Sequence, residues 1–241
     1  MHTRTSLTRD LRALGVREGD TLFVHSSFKS LGEVAGGAQS VVDALMDAVG
    51  DGLLLMPSFN LDGGRDWRAA SWDVENAPSS VGWLTEFFRR MPGTVRSDHY
   101  SHSVAARGRE APSFVDGHRR DEGLPSPWDR PPWGRTYGTH SPMIRARDRD
   151  GRLLMLGVDY HSSTYVHVVE AMWWEERRQS DPRARFMGLD RPRLGALWDR
   201  TGRLRRGLVG DAGCRLFGIR DYVDTLLGVV RGTGTRWITR S

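Results

Sequence analysis

Three short apolar runs constrain the fold of this chain most. Thr21–His25, Leu53–Met56 and Leu153–Leu156 are each bounded by turn residues, as is typical of buried strands. The first and third runs are followed by a polar or glycine-rich loop and then by segments 38–49 and 165–178, where apolar residues recur at helical spacing. This alternation of strands and helices predicts an α/β fold.

The rest of the chain predicts further helices but no second domain. Helical spacing predicts further helices over 3–14, 78–90 and 221–230, whereas 107–140 is rich in proline and tryptophan and is expected to be irregular. Pro142 is expected to lead into a turn at 148–151. Residues 179–206 are rich in arginine and only weakly patterned. Because the sequence contains no internal repeat and no clear linker, we predict one domain spanning residues 1–241.

Composition excludes several classes of function. The net charge is +5, but acidic and basic residues are interspersed, Lys29 is the only lysine, and no zinc-finger or RNA-binding signature is present. We therefore expect no nucleic-acid partner. No apolar run approaches the roughly 20 residues of a membrane span, and no signal peptide is visible. The single cysteine, Cys214, suits a reducing compartment, so a cytoplasmic protein without a membrane partner is expected.

The strongest catalytic candidate lies where the third strand passes into helix 165–178. Thr164 is positioned to cap that helix through its hydroxyl, and His167 then falls in the first turn, on the same face as Glu170. The positive end of a helix lowers the pKa of a nearby imidazole, which favours the neutral form that a general base needs. A histidine bonded to a carboxylate for stability alone is the other interpretation of this spacing.

The loop after the first strand is a candidate anion cradle. It carries small residues and glycines and leads into a helix, whose free amides suit phosphate. The candidate residues for cofactor binding here are Ser26, Ser27, Lys29, Gly36, Gly37 and Ala38. Neither the Walker pattern nor the dinucleotide fingerprint is present. The loop therefore suits a phosphate group, but its sequence does not identify the molecule that carries the phosphate. An ordinary connection is the alternative.

Two further polar stretches are candidates for ligand binding. Segment 60–80 is long for a loop and combines aromatic and acidic residues, which suit a cationic, hydroxylated ligand. Its candidate residues are Asp62, Asp66, Trp72, Asp73 and Glu75. Segment 95–106 contributes Arg96, His99 and Ser103, which we assign to cofactor binding through hydrogen bonds. No third ligand is spaced with its two histidines as zinc requires, so no metal site is expected.

Taken in order, motifs spread over most of the chain resemble those of the aminoglycoside 3-N-acetyltransferase family. They are Val24–Ser27, Leu31-Gly32, Val34–Ala38, Leu55–Phe59, Ala77–Ser79 with Gly82, Pro92-Gly93, Arg96–His99, Ser103, Gly138, Ser141-Pro142, Leu154–Gly157, Thr164 and His167–Glu170. Their common order and spacing between about 20 and 170 is specific, while the match beyond 175 is thin.

The resemblance implies a fold and a reaction. It implies a three-layer α/β/α domain with a central mixed sheet, distinct from the common GNAT acetyltransferase fold. It implies acetyl-CoA as the donor and the 3-amino group of the 2-deoxystreptamine ring of an aminoglycoside as the acceptor, which gives antibiotic resistance. In the family the histidine that matches His167 is the catalytic base.

This chain departs from the family at a few positions. His161 stands where the family has a carboxylate that positions the base or the substrate, and Asp159 is out of register with it. His99 is followed by Tyr100, where the family usually has proline. The missing carboxylate weakens the expectation of a polycationic acceptor, although the acids of segment 60–80 can compensate. We assign His161 to substrate binding.

Three alternatives remain open from the sequence. The chain can be a family member that acetylates an amine other than an aminoglycoside, or a homologue that binds CoA or a drug without transfer. It can also be an acyltransferase that uses Cys214 as a covalent nucleophile. The sequence does not decide between a monomer and a homodimer.

Overall fold

A computed structural model describes residues 1–239 of the chain. The strands are β1 Thr21–Ser26, β2 Leu53–Pro57, β3 Val95–Arg96, β4 Val104–Arg107, β5 Gly123–Leu124, β6 Tyr137–Gly138, β7 Arg152–Leu156, β8 Arg205–Val209 and β9 Ala212–Gly218. The helices are α1 Arg4–Leu14, α2 Gly37–Val49, α3 Arg65–Ala70, α4 Trp83–Arg90, α5 Ala111–Val115, α6 Pro142–Asp148, α7 Tyr165–Ser180, α8 Arg191–Arg200 and α9 Ile219–Thr233. Three short 3₁₀ turns lie at Phe28–Leu31, Tyr160–Ser162 and Gly234–Trp237.

Seven strands form one mixed sheet in the order β3-β4-β2-β1-β7-β9-β8. The central strand β1 runs parallel to both β2 and β7, and the outer strands pair antiparallel. The carboxyl ends of β1, β2 and β7 therefore lie at the same edge, with Ser26 directly opposite Leu156. That edge is where open α/β sheets place their ligands.

Helices cover both faces of the sheet, because its central strands are apolar on both sides. Leu153 and Met155 of β7 belong to a core shared with α6, α7, α8 and α9. Leu154 and Leu156, which point the opposite way, belong to a second core shared with α1, α2 and α4. The predicted α/β class and mixed sheet are confirmed, and helix–sheet–helix layering is observed.

The predicted central elements are found close to their expected bounds, while three predictions need correction. The helix predicted over 78–90 begins only at Trp83, because Gly82 has a φ of 148° and the Ser79 N–H is bonded to the Glu86 carboxylate at 2.7 Å. Pro142 opens the short helix α6, which was not predicted, and the expected turn follows that helix at residues 149–150. The weakly patterned stretch 179–206 contains α8, which Asp190 caps at its start.

No helix within residues 1–239 has both the length and the apolar character needed to cross a membrane.

Candidate active site

A cleft of about 430 Å³ opens at the carboxyl edge of the sheet. Ser26 at the end of β1 and Pro57 at the end of β2 form part of its wall. Thr164 and His167 line it from the start of α7. The strand–loop–helix junction singled out in the sequence therefore lies at the cleft.

His167 and Glu170 form a close pair on the first turns of α7. The His167 Nδ1 atom lies 2.6 Å from Glu170 Oε2, and the other carboxylate oxygen accepts the Leu189 N–H at 2.7 Å. Glu170 is only 3 % exposed, whereas the His167 side chain is 26 % exposed. Since Nδ1 is held by the buried carboxylate, the Nε2 atom is the nitrogen left for a ligand in the cleft.

Thr164 is at the predicted cap position, but its hydroxyl has a different partner. It makes no capping bond to the first turn of α7; its Oγ1 lies 3.1 Å from His25 Nε2 instead. The predicted side-chain cap is therefore wrong, because the buried imidazole of His25 competes for the hydroxyl. Burial, with a smaller contribution from Arg191, lowers the pKa of His25 to about 3, so this ring is neutral at physiological pH.

The predicted site residue His99 lies behind the cleft, and its neighbour His102 lines it. The His99 Nδ1 atom accepts the N–H groups of Ser101 and His102, and the ring stacks on His118 at 4.5 Å between centroids. His99 thus shapes the turn that presents His102. The ring centroid of His102 is 6.1 Å from that of His167, and burial lowers the pKa of His102 well below its ordinary value.

Arg96 and Ser103, which the sequence assigned to the cofactor, form hydrogen bonds with other residues of the protein. The Arg96 guanidinium donates to the carbonyls of Ser58, Val74 and Ala77 and lies over the Trp72 ring, 4.4 Å from its centroid. The Ser103 hydroxyl donates to the same Ser58 carbonyl. Burial lowers the pKa of Arg96 to about 9. These side chains join segment 60–80 to the sheet, and neither they nor Trp72 line the cleft.

The acids expected to bind a cationic ligand lie outside the cleft. Asp62, Asp66, Asp73 and Glu75 are all exposed. Asp66 is paired with Arg130, and Asp73 accepts the backbone N–H groups of residues 75 and 76. Position in the chain placed these residues near the site, but their side chains stabilise segment 60–80 or face solvent.

The loop after β1 is divided between two environments. Ser26, Ser27 and Lys29 line a shallow groove of about 530 Å³ together with Phe28, Gly82 and Trp83, and Ser26 lines both this groove and the cleft. Gly36, Gly37 and Ala38 line neither. The φ angles of Gly36 and Gly37 are 76° and 60°, so the backbone turn itself accounts for these two glycines.

Every ionisable side chain that lines the cleft within residues 1–239 is a base. They are His25, Arg68, His102, His161, His167 and Arg191. No carboxylate of the described chain forms part of the lining, and Glu170 lies behind His167. His161 is exposed at the mouth, where the Asp159 side chain accepts its backbone N–H. The sequence did not assign His25, Arg68 or Arg191 to the site. His25 lies inside the Val24–Ser27 motif, whereas Arg68 and Arg191 lie outside the motifs, and the three meet only through the fold.

Cys214 has the environment of a core residue. It lies on β9 opposite Leu156 and is 4 % exposed. Burial raises the pKa of its thiol to about 11, so the reactive thiolate is scarce at neutral pH. The cysteine does not line the cleft. Among the described residues, no three histidine, cysteine or acidic side chains are grouped as metal ligands.

The chain matches a known family and known structures. The family model described as "Aminoglycoside 3-N-acetyltransferase" matches residues 23–230. Aminoglycoside N(3)-acetyltransferase VII of Streptomyces paromomycinus is 32 % identical, and the match covers 92 % of this chain and 89 % of the relative. That alignment extends over 275 positions, more than the 241 residues of this chain, so the relative has internal residues without a counterpart here.

Solved structures with the same fold are similar along nearly the whole chain. The aminoglycoside acetyltransferase AAC(3)-Xa has a TM-score of 0.78 at 27 % identity, covering 97 % of this chain and 94 % of that one. The structure of AAC-IIIb in binary complex with CoASH has a TM-score of 0.75 at 26 % identity, covering 99 % and 98 %. The chain therefore belongs to the aminoglycoside 3-N-acetyltransferase family, as its motifs predict.

Proposed function

We propose that this protein is an acetyl-CoA-dependent N-acetyltransferase that acetylates the 3-amino group of the 2-deoxystreptamine ring of an aminoglycoside and so gives antibiotic resistance. The observation that carries the proposal is the His167–Glu170 pair beside a cleft at the carboxyl edge of the sheet, in a chain of this family. The named relative acts on aminoglycosides, and a structural neighbour binds CoASH.

In the proposed mechanism His167 is the general base. Its Nε2 atom takes a proton from the acceptor amine while the amine nitrogen forms a bond to the acetyl carbon and the carbon–sulfur bond breaks. The proton then goes to the departing thiolate, so the products are an amide and CoA. Glu170 holds the Nδ1–H of His167, fixes the ring orientation and stabilises the imidazolium that forms.

The negative charge that develops on the acetyl oxygen during the reaction is stabilised by a hydrogen-bond donor. The Ser26 hydroxyl is buried, lines the cleft and has no hydrogen-bond partner among residues 1–239. It is therefore available to donate to that oxygen. A positioned donor of this kind is worth roughly a hundredfold to a thousandfold in rate.

We place the distal end of acetyl-CoA in the groove beside the cleft, which we call the β1–α4 groove and define by Ser26, Ser27, Phe28, Lys29, Gly82 and Trp83. Lys29 is exposed and forms no ion pair within the described chain, so its ammonium can bind phosphate. The Trp83 ring contacts Phe28 and stacks against Phe87 but is still 60 % exposed, so its exposed surface can pack against a base. The groove meets the cleft at Ser26, as a thioester donor requires.

We also propose that residues 1–241 act as one antibiotic N-acetyltransferase-like domain. The family match over residues 23–230 and the single seven-stranded sheet support this organisation.

The direct test is turnover with purified protein. Acetyl-CoA is incubated with a panel of aminoglycosides that differ in their amino groups, thiol release is followed, and the acetylated nitrogen is located by NMR. We expect CoA release that depends on an aminoglycoside and a single acetyl group on the 3-amino nitrogen. Absence of thiol release with every amine tested would instead support a homologue that binds without transfer.

A second acceptor class is favoured by one observation. A polycation is stabilised by carboxylates around it, yet the cleft lining within residues 1–239 contains only basic ionisable groups. An amine outside the aminoglycosides is therefore the second candidate. The same assay separates the two: aminoglycosides that fail while singly charged or zwitterionic amines are acetylated would assign the second class.

A further inference from the structure

Arg191 is an unpaired cation in the wall of the catalytic cleft. It is the first residue of α8 and lines both the cleft and a neighbouring groove of about 550 Å³. Its guanidinium forms no ion pair or hydrogen bond with any residue from 1 to 239. The adjacent carboxylate of Asp190 is turned away, because it accepts the Arg193 N–H at 3.0 Å and lies 3.9 Å from the Arg193 guanidinium.

Arg68 is a second arginine in the wall, and it is held in place by the loop before α3. Its Nη1 atom donates to the Leu61 carbonyl at 3.1 Å and to the Gly63 carbonyl at 2.8 Å. Its Nε atom is buried and has no partner in the described part of the chain. Arg68 thus has an anchored side chain with unused donor capacity, and no carboxylate neutralises it there.

The histidines of the cleft do not explain these two cations. His25 and His102 are buried and neutral at physiological pH, since burial lowers the pKa of each. The permanent charge of the lining therefore comes from Arg68 and Arg191. An unpaired guanidinium in a partly desolvated cleft is costly unless a ligand supplies the counter-charge.

We propose that Arg191, assisted by Arg68, binds an anionic oxygen group, carboxylate or phosphate, of a substrate within the catalytic cleft. The planar guanidinium fork matches both groups. The proposal rests on the proposed function in so far as the ligand is a substrate of that reaction. The group can belong to the acceptor, which would then be an amine that carries an acid, or to the diphosphate of the donor. Both sources share the same chemistry.

Inorganic pyrophosphate is the probe, and isothermal titration calorimetry at low ionic strength is the measurement. We expect the wild-type protein to bind it and Arg191→Gln to weaken binding about tenfold or more. Arg191→Lys, which keeps the charge but loses the fork, should lie between them. Arg193→Gln is the matched control, because Arg193 lies on the same turn but is paired with Asp190, and it should stay within about twofold.

Repeating the titration with saturating CoA identifies the source of the anion. Displacement of pyrophosphate by CoA assigns the subsite to the donor. Continued binding to the CoA complex assigns it to the acceptor, and Arg191→Gln should then raise KM for amines that carry a carboxylate or phosphonate more than for matched amines without one. Both results support the subsite.

Equal pyrophosphate affinity in the wild type, Arg191→Gln and Arg191→Lys, or no binding by the wild type, would overturn the proposal. Thermal melting of each variant shows whether it is folded. If Arg191→Gln does not fold, the comparison of wild type with Arg191→Lys tests the proposal. Binding requires no turnover. A failure of acetyl transfer therefore counts against the proposed function alone, and binding that ignores Arg191 counts against the anion subsite alone.

Discussion

At the scale of single residues, the catalytic pair is local in sequence but its support is not. The i, i+3 spacing of His167 and Glu170 predicts their contact, which the structure shows at 2.6 Å. The second oxygen of Glu170 accepts the N–H of Leu189, nineteen positions away. This long-range bond fixes the carboxylate from behind, so the pair is held in position by two separate parts of the chain.

The contribution of the Glu170 charge to catalysis can be separated from the contribution of its side-chain packing. Glu170→Gln keeps the shape and the acceptor for Leu189 but removes the charge that stabilises the imidazolium. We expect kcat to fall by at least about tenfold with little change in the KM for acetyl-CoA, measured by thiol release. Glu176→Gln on the same helix, where the carboxylate pairs with Arg231 outside the cleft, is the control. Wild-type kcat in Glu170→Gln would show that the pair is only structural.

The thiol of Cys214 is expected to be dispensable for the reaction. It is buried in the core, and its raised pKa of about 11 disfavours the nucleophilic thiolate. Cys214→Ala should keep turnover within about twofold of wild type, because the truncated side chain lies outside the cleft. A variant that folds, as judged by its circular dichroism spectrum, yet has lost acetyl transfer would reinstate the covalent mechanism.

Residue choice within a motif is where sequence reasoning was weakest. Segment 95–106 indicated a site, but the sequence selected the buried His99 and Ser103 and the half-buried Arg96, none of which lines the cleft. It left out His102, which does. Neighbouring residues in a turn point in different directions, and no periodicity reports which one does. Arg68 and Arg191 were also out of reach, because their common cleft exists only after segments more than a hundred residues apart pack together.

At the scale of elements, the central strands and the long helices were predictable because their signal is strong and local. β1, β2 and β7 are apolar on both faces, and the apolar residues of α1, α2 and α7 recur at helical spacing. The antiparallel pair β8–β9 was not predictable from the sequence. β8 is an edge strand with exposed arginines, and β9 alternates buried and exposed residues around Cys214. The order of strands in the sheet is likewise a long-range property.

The β1–α4 groove gives a test at this scale. Trp83→Ala removes the exposed indole, so we expect the KM for acetyl-CoA to rise about fivefold to a hundredfold, as loss of one base–aromatic stack does. The KM for S-acetyl-pantetheine, a donor without the nucleotide, should not change. Trp67→Ala is the control, because Trp67 is similarly exposed, at 56 %, but lies on α3. Equal effects of Trp83→Ala on both donors would place the nucleotide elsewhere.

At the scale of the whole molecule, the buried histidines link stability to pH. Burial lowers the pKa of His118 from 6.5 to about 4 and that of His25 to about 3. Between pH 6.5 and these values the unfolded chain binds protons that the folded chain does not, so the free energy of unfolding falls as the pH falls. Each such histidine contributes a slope of about 1.4 kcal/mol per pH unit within its window.

Denaturant unfolding measured from pH 8 to pH 4.5 checks this expectation. These histidines should contribute no slope above about pH 7, and stability should decline steadily below about pH 6.5. His118→Gln removes one buried imidazole. It should therefore reduce the slope of unfolding free energy against pH by the contribution of about one proton, about 1.4 kcal/mol per pH unit. A wild-type stability that is flat from pH 6.5 to 4.5 would contradict the burial of neutral histidines.

The central claim is that His167 removes the proton from an amine while acetyl-CoA is held beside it, and one measurement addresses it most directly. His167→Ala is compared with wild type for acetyl transfer to the best acceptor of the panel and for CoA binding by calorimetry. We expect kcat/KM to fall between about a hundredfold and ten-thousandfold while the Kd for CoA stays within about twofold. Turnover close to wild type in His167→Ala would contradict the account.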